Sequence, residues 1–205
     1  MAQRGAQTAF VWSDDLPRYD FGPGHPMAPI RLSLTRDLVR ALEIPGVTEV
    51  GVAAVDDARL ATVHAPAFIQ AVRAGALGVT NERFGVGTEE NPVFPEIHVA
   101  ARRIVGSTLA AAQQVWTGAN SHAVSIAGGM HHAMPDRASG FCVYNDVGVS
   151  IQWLLENGAN RVAYVDLDAH HGDGVQTMFW DDPRVLTISI PESGVTLFPG
   201  TGFPR

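Results

Sequence analysis

The sequence predicts an α/β domain built on a parallel sheet. Three observations point there. Short apolar runs of strand character recur along the chain, at "TAFVW" (8–12), "AVSIA" (123–127), "RVAYVDL" (161–167) and "RVLTISI" (184–190). Helical stretches separate them, and parallel neighbours need such crossovers. Titratable side chains then crowd the carboxyl ends of 123–127 and 161–167, the edge at which parallel sheets build their sites.

Each element follows from local chemistry. After strand 8–12, "DLPRYDFGPGHPMAP" is too rich in Gly and Pro for anything but a loop. A helix starts near Ile30, with Ile30, Leu34, Leu38 and Leu42 on one stripe, and Pro45 and Gly46 stop it. "DARLATVHAPAFIQAVRAGAL" reads as two short helices broken near Pro66, and "NERFGVGTEENPVFP" as a second long loop. A strong helix begins at Pro95, whose missing N–H suits a first turn. Its stripe is Ile97, Ala101, Ile104, Val105, Thr108, Ala112 and Val115. "NDVGVSIQWLLENGA" is a helix capped by Asn145 or Asp146 and ended by Gly158, and "DGVQTMFWDD" is a short one.

Composition narrows the function. A hydrophobic share of 46% over 205 residues permits a sizeable core. The net charge of −7 argues against nucleic acid or an anionic membrane as partner. All 14 basic residues are arginine, so a phosphate-loop lysine and a Schiff-base lysine are excluded. Cys142 is the single cysteine, which rules out an internal disulfide and favours a reducing compartment. No run reaches the roughly 18 apolar residues of a membrane span, and no signal-peptide core opens the chain. The expectation is a soluble, cytoplasmic protein.

The densest chemistry lies in "YVDLDAHHGDG", where three aspartates and two histidines fall within residues 166–173. Such groups are costly to bury without partners or a metal. In an extended segment Asp168 and His170, two apart, face the same way. A carboxylate and an imidazole facing a common point suit zinc or a similar divalent ion, so their nearest oxygen and nitrogen should lie within about 4.5 Å. His131 and His132 follow the Gly128–Gly129 pair at the other strand end. Asp166 and Asp173 are available to orient them, the histidine–aspartate arrangement of a general base. Gly140 and Phe141 come soon after and are suited to lining a narrow apolar tunnel. Cys142 has no flanking base that would activate it.

"GGMHHAMPDRASGFCVYND", "YVDLDAHHGDGVQ" and "LFPGTG" resemble the zinc-dependent histone deacetylase family, in its bacterial acetoin-utilisation branch. "DFGPGHPMAPIR" and "GTEENPVFP" extend the resemblance over nearly the whole chain. It implies an arginase/deacetylase-like three-layer fold, as one domain over 1–205 truncated after about half its length. By motif position, Asp168 and His170 would be zinc ligands. His131 and His132 would be the catalytic pair, with His132 as general base held by Asp173 and His131 held by Asp166. A structural potassium would sit among Asp166, Asp168, His170, Ser189 and Ile190. Gly140, Phe141 and Phe198 would wall a tunnel for acetyl-lysine, or for a similar small acetylated amine. Arg31 would lie near the foot of the inner channel. Glu90 stands where many members have an aspartate that grips the substrate backbone, and Pro191 where a histidine is common. A third zinc ligand and the catalytic tyrosine are not found, since Tyr19, Tyr144 and Tyr164 do not match the family's tyrosine. Two alternatives stay open: an arginase-like two-metal ureohydrolase, and a non-catalytic fragment whose remnant site serves binding.

Overall fold

The computed structural model describes residues 7–203; the outermost residues of the expected domain, 1–6 and 204–205, lie outside the described residues. Strand β1 (Thr8–Val11) is central to a three-stranded sheet, flanked by β2 (Val47–Val50) and β3 (His122–Val124), all parallel. Strand β4 (Val162–Asp166) pairs in parallel with β5 (Val185–Ser189) as a second sheet. The α/β class and the parallel pairing are as the sequence implied. Among the described residues, however, the sheet is in two pieces, and β3 and β4 each keep an unpaired edge. The run 123–127 is strand only at its start. β2 has no counterpart in the sequence reading, because four residues with an exposed centre carry little periodicity.

The helices match the sequence more closely. They are α1 (Ile30–Ala41), α2 (Asp57–Leu60), α3 (Pro66–Gly75), α4 (Ile97–Trp116), α5 (Asp146–Glu156) and α6 (Asp173–Met178). α4 starts two residues after the expected proline. Its stripe buries Ile97, Ala101, Ile104 and Val105 against the main core, but Val115 at its far end is exposed. Around Phe68, Leu60, Ile104 and Tyr144 one large cluster joins α3 and α4 to the long loops. A smaller cluster of Ile151, Leu155, Val175, Phe179 and Val185 seats β4 and β5 on α5 and α6.

Two apolar faces are bare. The α1 stripe points outward, with Ile30, Leu34, Leu38 and Leu42 exposed by 59%, 62%, 59% and 60%. Leu32 and Val39 face the core instead, and the Arg36 guanidinium lies 5.0 Å over the Trp12 ring. The outward face of the second sheet carries Val165, Leu167, Leu186, Ile188 and Ile190, all exposed. Parallel sheets are ordinarily covered on both faces, and exposed apolar patches of this kind favour association. No helix among the described residues is long and apolar enough to cross a membrane.

The isolated 205-residue chain should therefore self-associate. Replacing Leu186 and Ile188 by lysine should shift sedimentation toward monomer, with unfolding changed by no more than about 0.5 kcal/mol per site, as for other exposed positions. Unchanged sedimentation would place the association elsewhere.

Candidate active site

The loop after β3 is shaped by glycine and by one buried carboxylate. Gly129 holds a left-handed φ of 89°. A side chain at Gly128 would collide with Thr108 and Asp146. Asp146, the first residue of α5, accepts N–H bonds from Gly129 at 2.9 Å and Met130 at 2.7 Å, and the Thr108 hydroxyl from α4. Burial pushes its carboxyl upward in pKa, against the pull of these donors. Asn145 caps α5 through Gly148 N–H at 2.8 Å and donates its amide to Ala133 O at 2.9 Å. The loop is thus held from below, and His131 and His132 project from it.

Both histidines meet the carboxylates expected for them. His131 Nδ1 lies 2.6 Å from Asp166 Oδ2, and His132 Nδ1 lies 2.8 Å from Asp173 Oδ1. All four side chains are buried, and the two imidazoles sit 4.1 Å apart between centroids. With Nδ1–H donated to a carboxylate, Nε2 of each ring remains an acceptor. Burial raises the Asp166 carboxyl, but bonds from His131 and the Tyr164 hydroxyl outweigh it and hold the group at about 2. Burial lowers the His131 imidazole, yet the bond and charge of Asp166 prevail and its pKa is raised.

Asp168 and His170 turn to the same side, as their spacing required. Asp168 Oδ1 lies 2.8 Å from His170 Nδ1 and accepts the His170 backbone N–H at 2.7 Å. Unlike the buried pairs, their side chains are 51% and 41% exposed. Burial raises the Asp168 carboxyl, and the two His170 contacts outweigh it to lower the group. Ser189 sits opposite Asp166 across β4 and β5, and Ile190 N–H donates to Asp166 O at 3.0 Å. The five residues expected around potassium therefore adjoin one another, although that carbonyl already serves one backbone bond.

One cavity of about 630 Å³ is lined by His131, His132, Asp168, His170, Gly140, Phe141, Phe198, Glu90 and Arg31. The two strand ends do converge on it. Phe198 stands edge-on to His132 at 4.9 Å and to His170 at 6.4 Å. A side chain on Gly140 would strike both His132 and Phe198, so only glycine fits there. Glu90 Oε2 accepts Gly140 N–H at 3.2 Å, and Arg31 Nε donates to Ala28 O at 3.2 Å. Cys142 also lines the cavity, but burial pushes its thiol up to about 12, which disfavours the thiolate.

Residues 25–205 match the histone deacetylase domain model. The chain belongs to the histone deacetylase family. It is 42% identical over 200 residues to the acetoin utilization protein AcuC of Bacillus subtilis (strain 168), covering 95% of this chain and 52% of that protein. Against AcuC of Staphylococcus aureus (strain MSSA476) the identity is 37% over 209 residues, covering 98% and 53%. AcuC of Staphylococcus xylosus is 36% identical over 207 residues, covering 98% and 54%. The chain spans about half the length of the curated relatives it matches.

The sequence reading missed the residues that hold this site from behind. Asp146 and Asn145 read only as a helix cap, and Tyr164 as an ordinary strand residue. His64 drew no attention, since nothing near it in the chain signals a role. It is buried, places Nδ1 3.0 Å from Met134 O, and accepts Asn145 N–H on Nε2 at 3.0 Å. Those partners require the neutral ring with the proton on Nδ1. Burial lowers its pKa to about 4.

A pH dependence follows. The unfolded chain binds a proton at His64 near pH 6.5, while the folded chain resists until about pH 4. Between those values the unfolded state holds more protons, so stability falls as pH falls. The loss should reach about 3 kcal/mol, because each tenfold difference in proton affinity is worth roughly 1.4 kcal/mol. Urea unfolding across pH 7 to 4 should show this slope, and His64→Gln should flatten it. An equal slope in both proteins would assign the acid sensitivity to other groups.

Proposed function

We propose that this chain carries the zinc-dependent deacetylase site of its family. The reaction is hydrolysis of the acetyl amide of acetyl-lysine in a protein, or of a similar small acetylated amine. The observation that carries this reading is the meeting of two carboxylate-held histidines with Asp168 and His170 around a single cavity.

The donor chemistry fits zinc in part. One carboxylate oxygen and one imidazole nitrogen, both lining the cavity, are donor types that zinc takes. Among the described residues no group of three or more His, Cys, Asp or Glu side chains is gathered as a full metal site. Asp168 and His170 would hold the ion together with a donor from outside this set. Zinc, when bound, supplies a Lewis acid for the amide carbonyl and lowers the pKa of nearby water.

The chain's own residues do the proton work. His132, with Nδ1–H fixed by Asp173, offers Nε2 to the cavity as general base and later returns the proton to the leaving amine. His131, whose pKa Asp166 raises, is suited to carrying positive charge where negative charge develops. Phe141 and Phe198 would flank the lysine stem, Gly140 leaves room between them, and Glu90 would grip the substrate backbone. Arg31, exposed at the cavity lining, would offer a cation to the acetate product. A potassium ion among Asp166, Asp168, His170, Ser189 and Ile190 would fix the turn that carries the zinc donors.

Two outcomes test this reading. In a form of the protein that deacetylates an acetyl-lysine peptide, His132→Ala should lower kcat by about 10²–10⁴, the usual size of general acid–base catalysis, with zinc content unchanged. Unaltered turnover would move the base elsewhere. The 205 residues alone should retain zinc weakly and release acetate near background. They supply two donors, and a missing oxyanion donor by itself costs about 10²–10³. One zinc held tightly per chain, with full turnover, would overturn the count of donors. Two manganese ions per chain would favour a ureohydrolase.

A further inference from the structure

The Gly140–Phe141 tip is strained. Ser139 and Cys142 exchange backbone bonds at 3.1 Å and 2.9 Å, which makes a two-residue hairpin. Its two tip residues both have positive φ, 54° at Gly140 and 70° at Phe141. That signature belongs to the I′ turn class, where glycine or asparagine is preferred because a larger side chain crowds the backbone. A phenylalanine persists there only where the surroundings over-determine it.

On the Phe141 side one hydroxyl does so, while the Glu90 carboxylate takes the Gly140 N–H. Tyr19 lies 122 residues away, beyond the 3₁₀ turn Leu16–Arg18. Its buried hydroxyl donates to Phe141 O at 2.8 Å and accepts Val143 N–H at 3.1 Å. Those two bonds bracket the strained residue on its C-terminal side. The phenol is itself wedged, edge-on to Phe21 at 5.2 Å and to Phe94 at 6.0 Å. Burial raises its pKa well above the usual range, so the hydroxyl keeps its proton. From the other side His25 stands edge-on to the Phe141 ring at 4.6 Å. That ring lines the cavity containing His131 and His132.

We propose that Tyr19 is the positioning residue for Phe141: its hydroxyl clamps the left-handed tip and so fixes one wall of the cavity. The clamp stands on geometry alone, whereas its consequence for substrate rests on the deacetylase reading. Tyr19 also lines the cavity itself, and through Phe141 it sets how wide a substrate stem the cavity admits.

Hydrogen exchange with and without the hydroxyl tests the clamp directly. Tyr19→Phe keeps the ring and removes the two bonds. Amides of 139–142 should exchange roughly tenfold faster, the scale of the one buried bond to Phe141 O, while those of β1 and α4 stay unchanged; Val143, which loses its own acceptor, is not part of the readout. In a Phe141→Gly background the same substitution should accelerate exchange far less, because glycine accepts positive φ unaided. Equal acceleration in both backgrounds, no acceleration, or acceleration throughout the chain would each overturn the proposal. Where turnover is measurable, Tyr19→Phe should raise KM for an acetyl-lysine peptide several-fold and leave kcat within about twofold. A longer form of the protein that binds zinc yet fails to deacetylate would sink the functional reading and leave the exchange test standing. A kcat loss with KM unchanged would overturn the positioning role.

Discussion

One buried carboxylate joins the two sheets of this molecule. Asp146 begins α5, on which β4 and β5 are seated, and it accepts Thr108 from α4, which packs on β1 and β3. It also accepts the Gly129 and Met130 N–H groups just before the histidines. No strand pairing links the two sheets among the described residues. The packing of α4 on α5, with this junction at its site end, therefore brings His131 and His132 to Asp166 and Asp173. A buried acceptor with three donors is costly to disturb, since each orphaned donor loses water as well as its partner.

From that junction the site divides by exposure. The histidine–aspartate pairs are buried, and their short bonds fix tautomer and ring orientation. The Asp168–His170 pair lies at the cavity's open side, half exposed. Rigid, buried imidazole–carboxylate pairs thus stand behind a carboxylate and an imidazole that are open to the cavity. Phe198 against His132 and the clamped Phe141 narrow the space between them.

Local pattern carried much of this. Strands β1, β4 and β5 and helices α1 to α6 announced themselves through periodicity, caps and glycine stops. Asp168 and His170 were legible because two-residue spacing in an extended segment fixes their facing. The pairing of His131 with Asp166 and His132 with Asp173 was legible through the family motifs. What failed shares one physical cause. Which way the α1 stripe faces, the continuity of the sheet, and the roles of His64, Tyr19 and Asp146 are set by contacts between distant segments. His64 reaches Asn145 across 81 residues, and Tyr19 reaches Phe141 across 122. Nothing in the immediate neighbourhood of either residue encodes that partner.

The central claim is that Asp146 holds both histidine–aspartate pairs in register. Low-field proton NMR of the imidazole Nδ1–H groups tests it most directly, with assignment by single substitution of His131 and His132. The native protein should show two protected low-field resonances. In Asp146→Asn both should broaden or vanish together, while unfolding remains cooperative. Two unchanged resonances in that variant would contradict the account, because the pairs would then stand without the junction.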